Sequence, residues 1–327
     1  MTEELVFATN IVFENYNETA ILPVVLQQNE VSVTGAGLKA AEALQGMKKQ
    51  EFVKNPMLIA DGPEASSGGL SIFRMHTKKK DEQLTAIFKY ASQGMGHGHF
   101  DRLGILLYNN GNEILQDYGA ARFLNVESKS GGRYLDENKS WAQQSIAHNT
   151  VIVDEKSNFN GDWKVAEKTA PEPIFGDISN PEVIQISSAV EKNAYAGVEM
   201  QRTVALIGEE TPFILDIYTL KSKESHQYDL NFMFSGHVME TDFKYEPSLT
   251  ALAPLGKSNG YQHLWNLAES KGNNGISKFT WLNDSRFYTI STITDENSKL
   301  FFTRLGANDP NFNLRNESGY LIRNANK

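Results

Sequence analysis

Two histidines stand one residue apart in Gly94-Met95-Gly96-His97-Gly98-His99-Phe100-Asp101, within a chain of seven histidines and no cysteine. Imidazoles so placed can bind a metal, hold a carboxylate or move protons near neutral pH. The glycines between them let the backbone take positive φ and let a ligand approach closely. A third histidine, His148, enters the apolar run Asn149-Thr150-Val151-Ile152-Val153, and Asp117 closes the run Glu113-Ile114-Leu115-Gln116. With no thiolate available, any metal falls to histidine and carboxylate. His99, Asp117 and His148 make a reasonable zinc set, its fourth position left to water, another oxygen or a ligand. Spacing alone leaves other readings open, with His148 capping a strand, Asp117 pairing with an arginine and His97 a plain loop residue.

The elements that must position these side chains are mainly strands. Residues 3–17 carry apolar side chains near helical spacing, and 37–53 is rich in helix formers, which predicts two helices at the start. Asp61-Gly62-Pro63-Glu64-Ala65-Ser66-Ser67-Gly68-Gly69 is dense in breakers and reads as a boundary. Beyond it, short alternating runs are predicted as strands at 70–76, 84–91, 103–109, 112–118, 149–154, 183–190, 198–207, 212–220, 227–235, 287–293 and 299–304. Their β-branched and aromatic content, with Gly, Asn, Asp and Pro between, is the pattern of an antiparallel β-sandwich. Asn110-Gly111 predicts a two-residue type I′ hairpin. Straight pairing from that turn sets Gly104 opposite Asp117 and extrapolates His99 to Arg122. Asp117 then lies five residues from the point opposite His99, roughly 17 Å at about 3.3 Å each. A shared metal therefore requires the chain to fold back between His99 and Gly104, a bend that Gly98 and Gly104 permit.

Composition bounds the function. The 327 residues, 40% hydrophobic and 22% charged, belong to the globular class. No run approaches the roughly 18 apolar residues of a membrane-spanning helix, and the first residues lack the pattern of a signal peptide. A net charge of −9 argues against nucleic acid as partner. The cluster Arg122, Lys129, Arg133 and Lys139 nevertheless suits an acidic ligand.

Four blocks in order carry a resemblance: Ser92-Gln93 with the octapeptide, Asp117-Tyr118-Gly119-Ala120-Ala121-Arg122-Phe123, Gly131-Gly132-Arg133-Tyr134-Leu135, and Ala147-His148-Asn149-Thr150. Together they resemble the heparinase II/III-like β-sandwich of the oligoalginate lyases, polysaccharide lyase family 17. His226-Gln227-Tyr228-Asp229-Leu230 and Gly260-Tyr261-Gln262-His263-Leu264-Trp265 fit as well. The resemblance implies a large antiparallel β-sandwich over 56–327, preceded over 1–55 by the tail of an α/α-toroid. It also implies that most of the toroid, with a carboxylate-binding Asn-His pair and a catalytic tyrosine, lies outside this chain. Family members work in the periplasm or outside the cell.

By the same resemblance Tyr134 is the general base, His97 the histidine beside the substrate carboxylate and Arg122 an active-site arginine, while His99, Asp117 and His148 hold a structural zinc ion. The implied reaction is β-elimination on the uronate chain of alginate oligosaccharides. The C5 proton beside an ionised carboxylate is a poor acid, so a cationic or hydrogen-bond-donating neighbour must act before any base succeeds. A tyrosine, with an ordinary pKa of about 10, needs nearby cations to serve as that base. Two alternatives stand beside this reading: a lyase for heparin, heparan sulfate or another uronate polymer, and a zinc-stabilised sandwich that only binds uronates. The first would want a denser basic lining.

Overall fold

A computed structural model describes residues 3–45, 47, 52–78, 82–94, 98–117, 138–306 and 314–324. The chain divides into two compact units, 1–55 and 56–327.

The first unit is helical. Glu3–Tyr16, Leu22–Gln28 and Gly35–Leu44 pack on one another around Val6, Leu22, Val25, Ala36 and Ala40. The helix expected over 37–53 stops at Leu44. A further helix, Leu22–Gln28, appears where no periodicity announced it, with Pro23 in its first turn and Asn29 closing it in the left-handed region.

The second unit is an antiparallel β-sandwich. Its large sheet has eleven strands, among them Gly68–His76, Gln83–Ala91, Gly104–Asn109, Asn112–Leu115, Tyr228–Ser235, Ser298–Gly306 and Leu314–Asn324. Two smaller sheets face it, one of Glu172–Asn180, Ile184–Tyr195, Val198–Ile207 and Phe213–Ser222, the other of His237–Thr241, Gly275–Asn283 and Arg286–Thr294. The main core joins side chains from all three, including Phe73, Phe88, Met200, Val204, Phe279 and Trp281.

Alternation puts a second core on the other face of the large sheet. Phe232 and Phe234 point to the main core and Met233 away from it; Leu300 and Phe302 do the same around Phe301, and Tyr320 and Ile322 around Leu321. The outward residues meet Trp141, Ala142, Ile146 and Ala147, so the segment 138–147 covers this face. Large runs that read as continuously apolar thus serve two cores at once.

The hairpin forms as expected, with Asn110 at φ 49° and Gly111 at φ 83°. Its register differs from straight pairing. Asn109 faces Asn112 and Tyr108 faces Glu113, but a bulge then sets Leu107 opposite Leu115, and the strand ends there. Gly104 is therefore not opposite Asp117. The strand is released because Leu115 pairs with Phe234 on its other side and the next amide, Gln116 N–H, donates to the Met233 carbonyl.

A candidate metal centre

The chain does fold back after His99. Gly104 N–H donates to the Asp101 carbonyl at 3.0 Å, closing a turn in which Leu103, not a glycine, takes positive φ (56°). The left-handed conformation is disfavoured for leucine, so surrounding contacts must impose it. They are dense. Thr150 Oγ1 donates to the Arg102 carbonyl at 2.6 Å, and Arg202 Nη1 donates to the Leu103 carbonyl at 2.7 Å and the Asn149 carbonyl at 2.6 Å. Phe100 N–H donates to the Gln143 carbonyl at 3.0 Å, and Ser145 Oγ donates to the Phe100 carbonyl.

Residues 98–104 and 143–150 are thus laced together, and Asn149 adds the third segment. Its amide nitrogen donates to the carbonyls of Ile105 (2.8 Å) and Gln116 (2.9 Å), while its oxygen accepts from Met233 N–H at 2.7 Å. The residue after His148 therefore fixes the residue before Asp117. Gly98 is required for a different reason. A Cβ there would lie 1.4 Å from the Gln93 carbonyl oxygen, so only glycine allows the chain to cross itself ahead of His99.

This lacing brings His99, Asp117 and His148 together, one ligand atom from each lying within 4.8 Å of the others. The His99 and His148 rings are 5.2 Å apart between centroids. His148 is buried; its Nε2 is 3.1 Å from the Ala142 carbonyl and its Nδ1 is 2.6 Å from Asp117 Oδ1. The carbonyl can only accept, so Nε2 carries a proton and Nδ1 of the neutral ring presents a lone pair. That lone pair and Asp117 Oδ1 are both buried without a partner in hydrogen-bonding geometry. Two acceptors 2.6 Å apart share a proton, or, parted to ligand distances, hold a metal ion between them.

In the metal-free centre Asp117, against the effect of burial, draws a proton onto His148, which a bound cation would displace, while His99 is held neutral. Burial, followed by the charge of His148, lowers the His99 pKa to about 4, leaving a neutral imidazole with a lone pair to offer. Burial also disfavours the charged form of His148, but Asp117 and Asp101 outweigh it and raise the pKa. Burial pushes Asp101 up, yet the adjoining Lys89 ammonium and the two imidazoles overcome it and hold the carboxyl at about 2. Lys89 and Asp101 form a close ion pair that neutralises both. One carboxylate, Asp117, and two imidazoles remain, and this donor set fits a divalent ion of the zinc type. No helical spacing or single loop supplies it; three segments do.

His97, Arg122 and Tyr134, and Arg133 beside the last, lie outside the described residues. Three of the other histidines have structural settings, and His237 stands exposed at the start of its strand. His263 is buried with Ser140 Oγ at 3.0 Å and the Gly306 carbonyl at 3.2 Å, His226 meets Asp154 at 2.8 Å, and His76 meets Gln83 at 3.1 Å.

Four residues that shape the centre were not singled out from sequence: Lys89, Asp101, Arg102 and Arg202. Asp101 closes the octapeptide itself. Arg202 interrupts a strand whose inward face is otherwise apolar, which is the available signal for a buried charge with a partner, whereas Lys89 lies on the face of its strand opposite Phe88 and Tyr90. Arg202 finds it in Asp216, which accepts from Nε and Nη2 at 2.9 and 2.6 Å.

Residues 60–322 match the family described as heparinase II/III-like, C-terminal. The chain is 43% identical over 325 residues to an alginate lyase of Stenotrophomonas maltophilia, covering 98% of this chain and 43% of that protein. It is 42% identical over 332 residues to an exo-oligoalginate lyase of Saccharophagus degradans, covering 100% of this chain and 44% of that protein. The chain thus spans less than half the length of these relatives. Among solved structures, the heparan sulfate lyase of Pedobacter heparinus superposes with a TM-score of 0.50 at 13% identity, covering 98% of this chain and 40% of that one. A heparinase III gene product superposes with a TM-score of 0.51, also at 13% identity, over 99% of this chain and 41% of that one. These two establish the shared architecture of the sandwich.

Proposed function

The chain belongs to the heparinase II/III-like, C-terminal family, and on that premise we propose that it is the sandwich part of a lyase that cleaves alginate oligosaccharides by β-elimination. The observation that carries this reading is the likeness, at 42–43% identity along nearly the whole chain, to two proteins named for alginate cleavage. The heparan-type alternative is weaker, since a sulfated chain would call for more cations than a protein of net charge −9 concentrates in one four-cation stretch.

In this mechanism His97 and Arg122 pair with the C6 carboxylate of the uronate, drawing off charge and acidifying the adjacent C5–H. Tyr134, its pKa depressed by Arg133, Arg122 and His97, takes the C5 proton as tyrosinate. The C5–H electron pair becomes the C4=C5 double bond, the C4–O4 bond breaks, and O4 takes a proton from water, to which Tyr134 returns the one it removed. One product ends in an unsaturated uronate.

His99, Asp117 and His148 hold a structural zinc ion, which supplies a charge that ties the three segments together. The protein's own part is to aim the loop. His99 belongs to the metal set, and His97, two residues before it in sequence, is the residue we assign to the substrate carboxylate. The helical unit is the end of a longer α/α-toroid. In support, Leu5, Phe7, Tyr16 and Leu38 stand on its surface, as helices do when further helices are to cover them. The whole protein works in the periplasm or outside the cell.

The test is the ultraviolet absorbance of the unsaturated product. Oligomannuronate, oligoguluronate and heparan sulfate are offered to this chain joined to a complete toroid, and the signal is expected with an alginate substrate. Absorbance with heparan sulfate alone, or with none of the three, overturns the proposal.

A further inference from the structure

Trp163 stands on the surface, 38% exposed, while Trp141 and Trp281 are sealed in the two cores. It opens a one-turn helix, Trp163–Ala166, fixed at its start by Asp162, whose carboxylate accepts the Lys164 N–H at 2.9 Å. The Lys164 ammonium lies 5.8 Å from the centre of the Trp163 ring. Val165 beside them is exposed as well. Leaving so large an aromatic in water forgoes the burial energy that fixes other tryptophans, and a rigid exposed ring next to a cation is the usual dress of a recognition surface.

Its anchorage points to what is recognised. Arg102 is buried, and its Nη2 donates to the carbonyls of Ala166 and Thr169, each at 2.7 Å, while Nη1 donates to the Ala91 carbonyl at 2.7 Å. Its Nε faces Glu191 at 3.4 Å, and its guanidinium lies 5.1 Å from the Phe159 ring centre. The Arg102 backbone N–H donates to Asn158 Oδ1 at 3.1 Å. One guanidinium therefore clamps the Trp163 turn to the turn that follows His99. Gly161 closes the join from the other side, its Cβ position lying 3.9 Å from the Phe100 ring. Trp163 is held in register with the metal-bearing loop, although it contributes nothing to the metal set.

We propose that Trp163, with Lys164 beside it, is a stacking platform for a sugar ring of a bound uronate chain, forming an outer subsite that adjoins the His99 loop. A pyranose ring has an apolar C–H face that packs on an indole, and its carboxylate takes the neighbouring ammonium. Because the platform is pre-ordered, binding spends little conformational entropy there. The inference rests on the uronate-lyase reading above and deepens it.

The experiment is calorimetric titration of saturated oligomannuronate and oligoguluronate into this chain, with cello-oligosaccharide as the neutral probe. Trp163→Ala is expected to weaken uronate binding roughly tenfold, Trp163→Phe to recover most of the loss, and Lys164→Met to weaken it with a shallower salt dependence. Metal content and unfolding midpoint should stay at wild-type values in all three variants, since none of these side chains reaches the metal set. Wild-type binding of uronates with Trp163→Ala unchanged overturns the platform and leaves the lyase reading standing. That result would assign the ring to a protein contact instead. Equal affinity for the neutral probe overturns the uronate assignment, and absence of any uronate binding by the wild type overturns the platform while the lyase reading stands on its own test.

Discussion

His148 turns its Nδ1 onto Asp117 Oδ1 at 2.6 Å while its Nε2 meets the Ala142 carbonyl at 3.1 Å. The carbonyl decides the tautomer, and the tautomer decides that a lone pair faces a carboxylate. Asp117→Asn keeps the shape and removes the charge. Metal affinity should fall by more than the roughly 10–100-fold that loss of an outer-shell partner costs, as read by competition with a chromogenic chelator. Affinity equal to wild type would show that Asp117 is not a ligand.

Gly98→Ala separates the loop from the sandwich. The added Cβ would sit 1.4 Å from the Gln93 carbonyl oxygen, so the loop must move. Metal binding should be lost, while the metal-free variant unfolds at the same denaturant midpoint as the metal-free wild type. Retained metal would mean that the crossing of residues 93 and 98 does not position His99.

Arg202 spans the two sheets to hold the Leu103 and Asn149 carbonyls, with Asp216 as its counter-charge. Arg202→Met leaves Asp216 and two carbonyls without that partner, and should destabilise the fold by about 3–5 kcal/mol in urea unfolding. Adding Asp216→Leu should return part of the loss, because the stranded charge is then gone. A loss below about 1 kcal/mol would place the clamp among ordinary surface pairs.

Four tyrosines set the alkaline limit, Tyr320 raised by burial together with Tyr195, Tyr218 and Tyr261. Burial pushes Tyr218 up to about 12 and raises Tyr195 further; burial and then the Asp229 charge raise Tyr261, whose hydroxyl donates to Asp229 Oδ2 at 2.6 Å. Each keeps its proton in the folded chain but releases it near pH 10 when unfolded. The folded state binds more protons above that point, so stability falls as pH rises. The slope is about 1.4 kcal/mol per pH unit for each group, or about 5.5 for the four together between pH 10 and 12. Urea midpoints at pH 9, 10 and 11 check it, and Tyr261→Phe should flatten the slope. A midpoint that does not move across this range would contradict the burial of these phenols.

Much of this was legible in the sequence because the sandwich strands alternate. The runs near 70–76, 84–91, 198–207 and 227–235 lie where strands form, since one face of each is apolar and Gly or Asn marks the ends. Strands such as Glu172–Asn180 and Gly275–Asn283 were missed. The first is exposed along nearly its whole length, and the second places Ser277 on its buried face and Ile276 on its exposed one, so neither shows a clean period. The triad His99, Asp117 and His148 could be named from its residue types and the resemblance. Its geometry could not, because it depends on a bulge after Tyr108 and on a leucine at positive φ, and neither leaves a signature in local composition. Arg202 was hidden for a related reason: a buried charge reveals itself only when its partner, Asp216 on the next strand, is in view.

The metal centre is the point on which the account turns, and native mass spectrometry with elemental analysis reads it directly. The wild-type chain should carry one zinc ion per molecule, and His99→Ala and His148→Ala should carry none, each with a lowered unfolding temperature. A wild-type chain without bound metal after purification in zinc, or a His99→Ala variant with full zinc content and unchanged stability, would contradict it.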